Sequence, residues 1–203
     1  MHPKVRAFFA QFGDPQGALG VLAVLTMAVE NRHTNRRLVD LAGLTAGDRA
    51  LDIGCGPGVA VRHAARLPGL TVTGVDASPT AIAVARALTR TRPGLRFDAA
   101  TSQALPFADG DFTVAWSMNS VHHWADRVAG LAELHRVIEP GGRLLIGERR
   151  PSPDVGRWSP RGMMDDALAE LVNDIEAAGF THVTTAEQVV GKDRFVAVTA
   201  SPS

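Results

Sequence analysis

The sequence predicts an α/β fold in which helices cover both faces of a mostly parallel sheet. Five short apolar runs recur at intervals of roughly 20 to 30 residues, the length of a strand–helix unit. Helical patterns separate these runs, and three closely spaced glycines follow the first one in the segment LDIGCGPG. The predicted strands are Ala50–Ile53, Leu70–Val75, Leu95–Phe97, Phe112–Trp116 and Arg143–Gly147.

Capping residues and helix breakers mark the helices between these strands. Ser78 is placed as an N-cap immediately before Pro79, a residue that suits the first turn of a helix. Pro140-Gly141-Gly142 is expected to end the helix that precedes the fifth strand. The predicted helices are Val59–Arg66, Pro79–Thr91 and Arg127–Ile138.

The last third of the chain has a different pattern. Three prolines and two glycines between Arg149 and Gly162 predict a loop, and a helix is expected over Met163–Ala178. Two alternating segments, His182–Val190 and Arg194–Ala200, then flank a turn at Gly191–Asp193. Strands joined by so short a turn must be antiparallel.

The residues before the first strand, 1–44, are predicted to form two or three helices, and residues 1–203 are interpreted as one domain. Within them, Ala18–Val29 is an unbroken, mildly apolar run about half as long as a membrane-spanning helix. A signal peptide is the alternative, but no small-residue cleavage site stands out. We expect a buried or pocket-covering helix in a cytoplasmic protein.

Composition narrows the classes of function. The chain of 203 residues is 45% hydrophobic and has a formal net charge of zero, so it lacks the basic field that holds nucleic acid phosphates. A single cysteine, Cys55, excludes an intrachain disulfide framework and a cysteine-rich metal site. We therefore expect a globular protein with no metal centre and no nucleic acid partner.

The glycines after the first predicted strand indicate a ligand that lies against the backbone. In an open α/β sheet, ligands bind beyond the carboxyl ends of the strands, and Gly54 and Gly56 would let the chain approach one closely. Gly58 would let the next helix pack close to the strand. A tight turn alone is the other explanation of these glycines.

The spacing separates this loop from a dinucleotide-binding loop. The pattern here is D-x-G-x-G-x-G, beginning at Asp52, whereas the dinucleotide fingerprint is G-x-G-x-x-G. An acidic residue beside the loop suits a ligand with a positive charge. Asp76 ends the second predicted strand, where a carboxylate can accept hydrogen bonds from both hydroxyls of a ribose; a solvated strand-end residue is the alternative.

Five segments in order complete a family pattern. LDIGCGPG, GVDAS, ALPFADGDFTVAWS, SVHHW and RVIEPGGRLLIGE resemble the class I S-adenosylmethionine-dependent methyltransferases. The similarity is greatest to the small-molecule, ubiquinone/menaquinone-like branch (methyltransferase type 11), and it runs from about Gly47 to Glu148. The resemblance implies a Rossmann-like three-layer fold whose seven strands follow the order 3-2-1-4-5-7-6, with strand 7 antiparallel.

The resemblance also implies how S-adenosylmethionine would be held. The loop from Asp52 to Gly56 would line its methionine end, Asp76 would hold the ribose hydroxyls, and Ala77 would lie against adenine. Thr101 stands where many relatives have an adenine-binding Asp, which loses the charge-assisted hydrogen bond. The implied cofactor-binding set is Asp52, Gly54, Cys55, Gly56, Gly58, Asp76, Ala77, Thr101, Ser102 and Ser117.

Two groups of residues are candidates to act on the methyl acceptor. His122 and His123 follow the fourth strand, and His122, nearer the strand end, is the candidate general base; packing at the strand end is the alternative. Relatives fold the N-terminal region over the pocket as a lid, so Asn31 and His33 are candidate lid contacts unless they end a solvated helix. A nucleophilic Cys55 is rejected, because methyl transfer needs no enzyme thiol.

The sequence therefore predicts an enzyme that transfers a methyl group from S-adenosylmethionine to a small, apolar molecule by in-line displacement. A non-catalytic methyltransferase-like protein that binds the cofactor or acts as a regulator is the alternative, and an NAD-dependent oxidoreductase is disfavoured by the glycine spacing. Trp158, Met163 and Met164 are expected to form an apolar wall opposite the lid. The acceptor, the atom methylated and the choice between monomer and homodimer stay open.

Overall fold

A single seven-stranded sheet organises the computed structural model, which describes residues 17–89, 93–151 and 162–203. The strand order is β3-β2-β1-β4-β5-β7-β6, as the family resemblance predicts. The strands β3, β2, β1, β4 and β5 are parallel, and β7 runs antiparallel to both β5 and β6. The strands are β1 Arg49–Ile53, β2 Thr71–Asp76, β3 Leu95–Ala99, β4 Phe112–Met118, β5 Ile138–Arg149, β6 Phe180–Val190 and β7 Asp193–Pro202.

Six α-helices and one short 3₁₀ turn lie around this sheet in the described part of the chain. As predicted, the Ser78 hydroxyl accepts a hydrogen bond from Ala81 N and caps the helix that begins at Pro79. The helices are α1 Gly17–Glu30, α2 Arg32–Leu41, α3 Val59–Ala64, α4 Pro79–Leu88, α5 Arg127–Val137 and α6 Asp165–Ala177, and the 3₁₀ turn is Val121–His123.

Alternation along the strands gives the sheet two buried faces. On one face, Trp116 and Phe195 pack with α2, α3 and α4. On the other, Leu51 and Ile146 pack with α5 and α6. Both faces of the central strands are therefore apolar, as a parallel sheet between two helical layers requires.

The predicted role of Pro140-Gly141-Gly142 is wrong. Helix α5 already ends at Val137, and β5 begins at Ile138, which pairs with Phe112. The next pair is Val114 with Arg143, so the Pro-Gly-Gly segment lies in an irregularity of the strand. Strand pairing at Ile138 ends the helix, and Gly141, with a φ of 76°, supports the bulge that follows.

Two N-terminal helices occupy the described part of the region 1–44. Helix α1 packs on α4 through Val24, which contacts Ala81 and Val84 in a small separate cluster. The opposite side of α1 stays apolar and exposed, with Leu22 at 53% and Val29 at 66% exposure. Within the described residues, every helix is too short or too polar to cross a membrane.

Candidate cofactor and acceptor site

The loop after β1 is fastened to β2 through backbone atoms. The amides of Gly54 and Cys55 both donate to the carbonyl oxygen of Val75, each at 2.9 Å. The next amide, that of Gly56, donates to Oδ2 of Asp76 at 2.8 Å. These bonds hold the loop at the carboxyl edge of the sheet, where α/β proteins bind ligands.

The three glycines of this loop have different surroundings. A Cβ atom on Gly54 would lie 2.0 Å from Oγ of Ser120, and one on Gly58 would lie 2.8 Å from the ring of Phe97. A Cβ atom on Gly56 would meet no protein atom within 4 Å. Gly54 and Gly58 therefore serve packing, whereas the backbone at Gly56 faces open space that a ligand can fill.

Asp52 is a buried acid without a hydrogen-bond partner. The residue is 2% exposed, and its Oδ2 atom bonds to no group in the described part of the chain. Burial, and then the negative charge of Asp76, raise the pKa of Asp52 to about 8. Trp116, opposite Asp52 on β4, acts to lower this pKa, although its Nε1 atom forms no hydrogen bond of good geometry with a described residue.

Asp76 has both carboxylate oxygens directed at backbone amides. Oδ1 accepts from Ser78 N and Oδ2 accepts from Gly56 N, both at 2.8 Å. Burial raises the pKa of Asp76, and these two bonds oppose the rise. Each oxygen keeps a lone pair for a further donor, and Ala77 lies exposed beside it.

The side chain of Cys55 points into the protein. Its sulfur lies 3.0 Å from the position that a Cβ atom on Gly74 would take, within the core on the α3 side. Burial, followed by the charges of Asp52 and Asp76, raises the pKa of the Cys55 thiol well above its usual value. The thiol is therefore neutral and enclosed, and only the backbone of Cys55 is available to a ligand.

Of the two candidate residues after β3, Thr101 is exposed and Ser102 is buried. Thr101 is exposed at the carboxyl edge, with its side chain open to solvent. Ser102 is buried beside Gly130 of α5. The amide of Gln103, with its oxygen toward the backbone amides of Ala125 and Asp126, donates to Oγ of Ser102 at 3.2 Å. The Ser102 hydroxyl is thus engaged with α5.

Ser117 lies one residue before the end of β4, because the strand extends to Met118. The residue is completely buried, and its Oγ atom bonds to no described group. Its neighbour Trp116 has an unpaired Nε1 atom as well. Unpaired polar atoms therefore collect where β1 and β4 approach the carboxyl edge, which is unusual for buried groups.

His122 forms a close pair with Glu148. The two atoms Nδ1 of His122 and Oε2 of Glu148 are 2.8 Å apart, and Oε1 of Glu148 accepts from Val121 N at 3.1 Å. The hydrogen bond that His122 makes to Glu148 raises the pKa of His122, burial opposes the rise, and the charge of Glu148 adds to it. Burial and the neighbouring charge of His122 lower the pKa of His123, whose ring centroid is 4.0 Å from that of His122.

The two candidate lid residues lie in different environments. The Asn31 side-chain oxygen accepts from Arg149 at the carboxyl end of β5, at 2.9 Å. His33 is exposed and accepts from the side chain of Arg32. The segment from Val24 to Asn31 therefore contacts the molecule at two places: Val24 packs on α4, which follows β2, and Asn31 bonds to Arg149 at the end of β5. Trp158 lies outside the described residues, Met163 is half-buried and Met164 is exposed.

Sequence reasoning did not single out Glu148, Ser120 or Arg149. Glu148 is the most informative of these, because it is 2% exposed yet ionisable, at the carboxyl end of a buried strand. An acid placed directly after the apolar run RLLIG was the available signal. Ser120 carries no such signal, since its contact with Gly54 joins residues far apart in the sequence.

The groups at this edge fit S-adenosylmethionine. The unpartnered carboxyl of Asp52 suits the ammonium group of its methionine part, the free lone pairs of Asp76 suit two ribose hydroxyls, and the open side of Gly56 leaves room for the ligand. The strand order and this loop together have the arrangement expected of the class I S-adenosylmethionine-dependent methyltransferases.

Comparison with known proteins agrees with this class. Residues 51–146, a little less than half of the chain, match the model of a methyltransferase domain. Over 68% of its length the chain is 37% identical to the 27-O-demethylrifamycin SV methyltransferase of Amycolatopsis mediterranei. Over 58% of its length it is 42% identical to the demethylmenaquinone methyltransferase of Thermus thermophilus.

These matches cover 50% and 54% of the two relatives, so the chain spans about half of their length. Among solved structures, the fold resembles that of a SAM-dependent methyltransferase from Aquifex aeolicus. The two superpose with a TM-score of 0.73 at 19% identity, over 90% of this chain and 98% of the other. At that identity the likeness concerns the fold.

Proposed function

We propose that this protein transfers the methyl group of S-adenosylmethionine to a small, largely apolar acceptor by in-line displacement. The observation that carries the proposal is the buried and unpartnered carboxyl of Asp52 beside the open backbone of Gly56. A buried acid without a partner is costly unless a ligand completes its interactions. A cationic ligand does so, and it fits against a glycine that leaves space.

The residues of the site divide the work of holding the cofactor. Asp52 supplies negative charge next to the loop, Asp76 holds the ribose while it fixes Gly56 and Ser78, and the backbone of Cys55 borders the methionine part. Thr101 offers a hydroxyl at the adenine position. When bound, the sulfonium cofactor supplies an already activated methyl group, so the protein has mainly to place the acceptor and exclude water.

The surroundings of the site favour an apolar acceptor. Helix α1 contains no charged residue before Glu30, and Asn31 fixes its end beside the carboxyl end of β5. Met163 is half-buried and is bonded through its backbone to Arg149 O and Arg150. An apolar helix on one side and an adaptable methionine on the other suit a hydrophobic molecule. The names of the two relatives, which act on a rifamycin and on a menaquinone precursor, support this class.

Calorimetry and labelled methyl transfer test the proposal in two separate steps. Titration with S-adenosylmethionine should show one site per chain, and labelled methyl groups should then pass to 27-O-demethylrifamycin SV or to reduced demethylmenaquinone. The matched control is Asp48→Asn, at the other end of β1, which should leave cofactor binding intact. Failure to bind the cofactor would overturn the proposal, whereas binding without transfer to either probe would overturn the acceptor class alone.

A further inference from the structure

The strongest unused feature of the carboxyl edge is the pair formed by His122 and Glu148. The imidazole side chain is 46% exposed, whereas the carboxylate side chain is 3% exposed. A buried carboxylate thus holds one nitrogen of a ring whose remainder faces outward. Buried charged groups need such partners, and this one has two, His122 and the amide of Val121.

The arrangement fixes which nitrogen of His122 carries a proton. A carboxylate only accepts hydrogen bonds, so Nδ1 of His122 must be the donor over the 2.8 Å contact. The lone pair then lies on Nε2, and Nε2 has no partner among the hydrogen bonds of the described residues. A neutral histidine with its proton fixed on Nδ1 is ready to accept a proton at Nε2.

The position of the pair ties it to the methyl-transfer site. His122 follows Ser120, whose side chain fills the space beside Gly54 of the cofactor loop. Glu148 precedes Arg149, which donates to Asn31 of the predicted lid. The pair is therefore flanked in the chain by one residue that contacts the loop and by another that contacts Asn31.

We propose that His122 is the general base of the reaction, that Glu148 positions it, and that the acceptor is an apolar molecule methylated at a hydroxyl oxygen. This inference rests on the proposed function, and it adds the hydroxyl as the reacting group of the acceptor and His122 as the base. A neutral amine can attack a methyl group with its lone pair, but a hydroxyl is a weak nucleophile until its proton leaves. A built-in base is thus needed for oxygen.

The reaction is balanced by one proton transfer and one methyl transfer. The acceptor oxygen gives its proton to Nε2 of His122 and forms a bond to the methyl carbon, while the carbon–sulfur bond breaks and its electron pair returns to sulfur. The imidazolium produced is stabilised by the charge of Glu148. His123, with its lowered pKa, stacks near His122, and Arg149, which follows Glu148 in the chain, is directed to Asn31.

Glu148→Gln is the most informative variant. The glutamine oxygen can still accept from Val121 N, but its amide faces His122 as a donor, so the imidazole proton moves to Nε2, the wrong nitrogen for a base. We expect kcat with 2-naphthol, a small apolar phenol, to fall about 10²- to 10⁴-fold in Glu148→Gln and in His122→Gln, the range of general base catalysis. Cofactor affinity measured by calorimetry should change little.

The control is another histidine–carboxylate pair, which has the same 2.8 Å separation but lies away from the site and has an exposed carboxylate. His63 and Asp40 lie 2.8 Å apart between α3 and α2. Neither His63→Gln nor Asp40→Asn should change kcat. A second control uses 4-nitrophenol, an acidic phenol that ionises without help, so the loss in the two site variants should be far smaller with it than with 2-naphthol.

The pH profile separates catalysis from structural support. The neutral imidazole is the active form, so activity should rise with pH through the raised pKa of His122. In Glu148→Gln this acid limb should move to lower pH, and NMR titration of the His122 ring should show the same shift and the change of tautomer. These NMR measurements need no acceptor.

The outcomes are distinct. Equal losses with both phenols, an unchanged acid limb, or an NMR titration of His122 that ignores Glu148 would each overturn the role of the pair. A methyl group found on carbon, or transfer to 2-naphthylamine but not to 2-naphthol, would overturn the hydroxyl assignment. No transfer to any hydroxyl probe by a protein that binds the cofactor would also overturn it, and would leave the cofactor site of the proposed function standing.

Discussion

An aspartate lies near each end of strand β1, Asp48 just before it and Asp52 one residue before its last, and the two have opposite environments. Asp48, at the amino edge of the sheet, accepts from Thr113 Oγ1 at 2.5 Å, from Thr45 N at 2.7 Å and from Arg143 at 2.9 Å. Asp52, four residues later, accepts from no described group. Burial favours the neutral form of both acids, but the hydrogen bonds and charge around Asp48 outweigh it and lower its pKa, whereas the pKa of Asp52 rises to about 8.

The difference separates an edge of the sheet whose acid is paired within the protein from the edge at which we propose that the cofactor binds. At the amino edge, Thr113 joins Asp48 to β4, and Arg49 pairs with Glu139. At the carboxyl edge, polar atoms of Asp52, Trp116 and Ser117 stay unpaired. Interactions left open in a folded protein are available to a ligand.

The largest effect is expected for Gly56→Val. The valine side chain would enter the space that the cofactor needs, so binding measured by calorimetry should be lost while the fold is retained. Gly43→Val is the matched control, because Gly43 has a similar φ of 57° and equally open surroundings, but lies after α2. Both variants carry a left-handed backbone cost of roughly 1–2 kcal/mol. Retained binding in Gly56→Val would mean that the glycine serves the turn alone.

A smaller loss is expected for Asp76→Ala. Removing a charged acceptor costs roughly 1.5–3 kcal/mol, which corresponds to about a 10- to 150-fold weaker affinity for S-adenosylmethionine. The structure gives a further reason to expect weaker binding, since Asp76 also accepts hydrogen bonds from the amides of Gly56 and Ser78. Calorimetry on the folded variant measures the loss. Unchanged affinity would refute the assignment of Asp76 to the ribose.

The two ends of β1 should also differ in how pH changes stability. The pKa of Asp48 is lowered on folding, so its stabilisation is present above its unfolded pKa, about 3.9, and is lost as the pH falls through the folded value. Asp52 keeps its proton in the folded protein up to about pH 8, so the cofactor-free protein should lose stability as the pH rises between about 3.9 and 8.

Urea denaturation of Asp48→Asn and Asp52→Asn at several pH values measures this contrast. Asp48→Asn should be less stable than the parent near neutrality and approach it in acid. Asp52→Asn should gain on the parent as the pH rises. If the Asp52→Asn curve runs parallel to that of the parent across the window, the carboxyl of Asp52 is not held neutral.

The smallest effect is expected in the N-terminal helix. Hydrogen exchange of residues 18–35 should slow when cofactor binds, because among the described residues helix α1 buries few side chains, in a small cluster at Val24, and is followed by the Asn31 contact. Strand β7, at the far side of the sheet, provides the internal reference. Full protection of α1 without cofactor would show that the helix is core and does not act as a lid.

The sequence predicted most of the fold because its signals are local. Alternating apolar runs placed the strands, and the closing hairpin followed from a short turn between two alternating segments. The family resemblance supplied the strand order. The end of helix α5 was predicted wrongly from the Pro-Gly-Gly segment. The helix ends because Ile138 pairs with Phe112, and this pairing involves a strand distant in the sequence.

The candidate site was predicted less completely, for a similar reason. Asp52, Gly56 and Asp76 belong to short motifs that position them at one edge. The side-chain directions did not follow from the motifs: Ser102 turns toward α5, His33 faces solvent beside Arg32, and Cys55 points into the core. Glu148 was missed because its partner, His122, lies on another strand end, and only the folded sheet brings the two together.

The carbonyl oxygen of Val75 accepts hydrogen bonds from the amides of Gly54 and Cys55, and this bears on which substitutions the loop tolerates. The cofactor loop is attached to its neighbour by main-chain atoms, so these two bonds do not depend on which side chains the loop carries. Position 55 is therefore open to substitution by residues of similar volume. A library of small residues at this position should change the thermal stability of the protein without moving the cofactor. The packing of the core beneath the loop could then be engineered independently of cofactor binding.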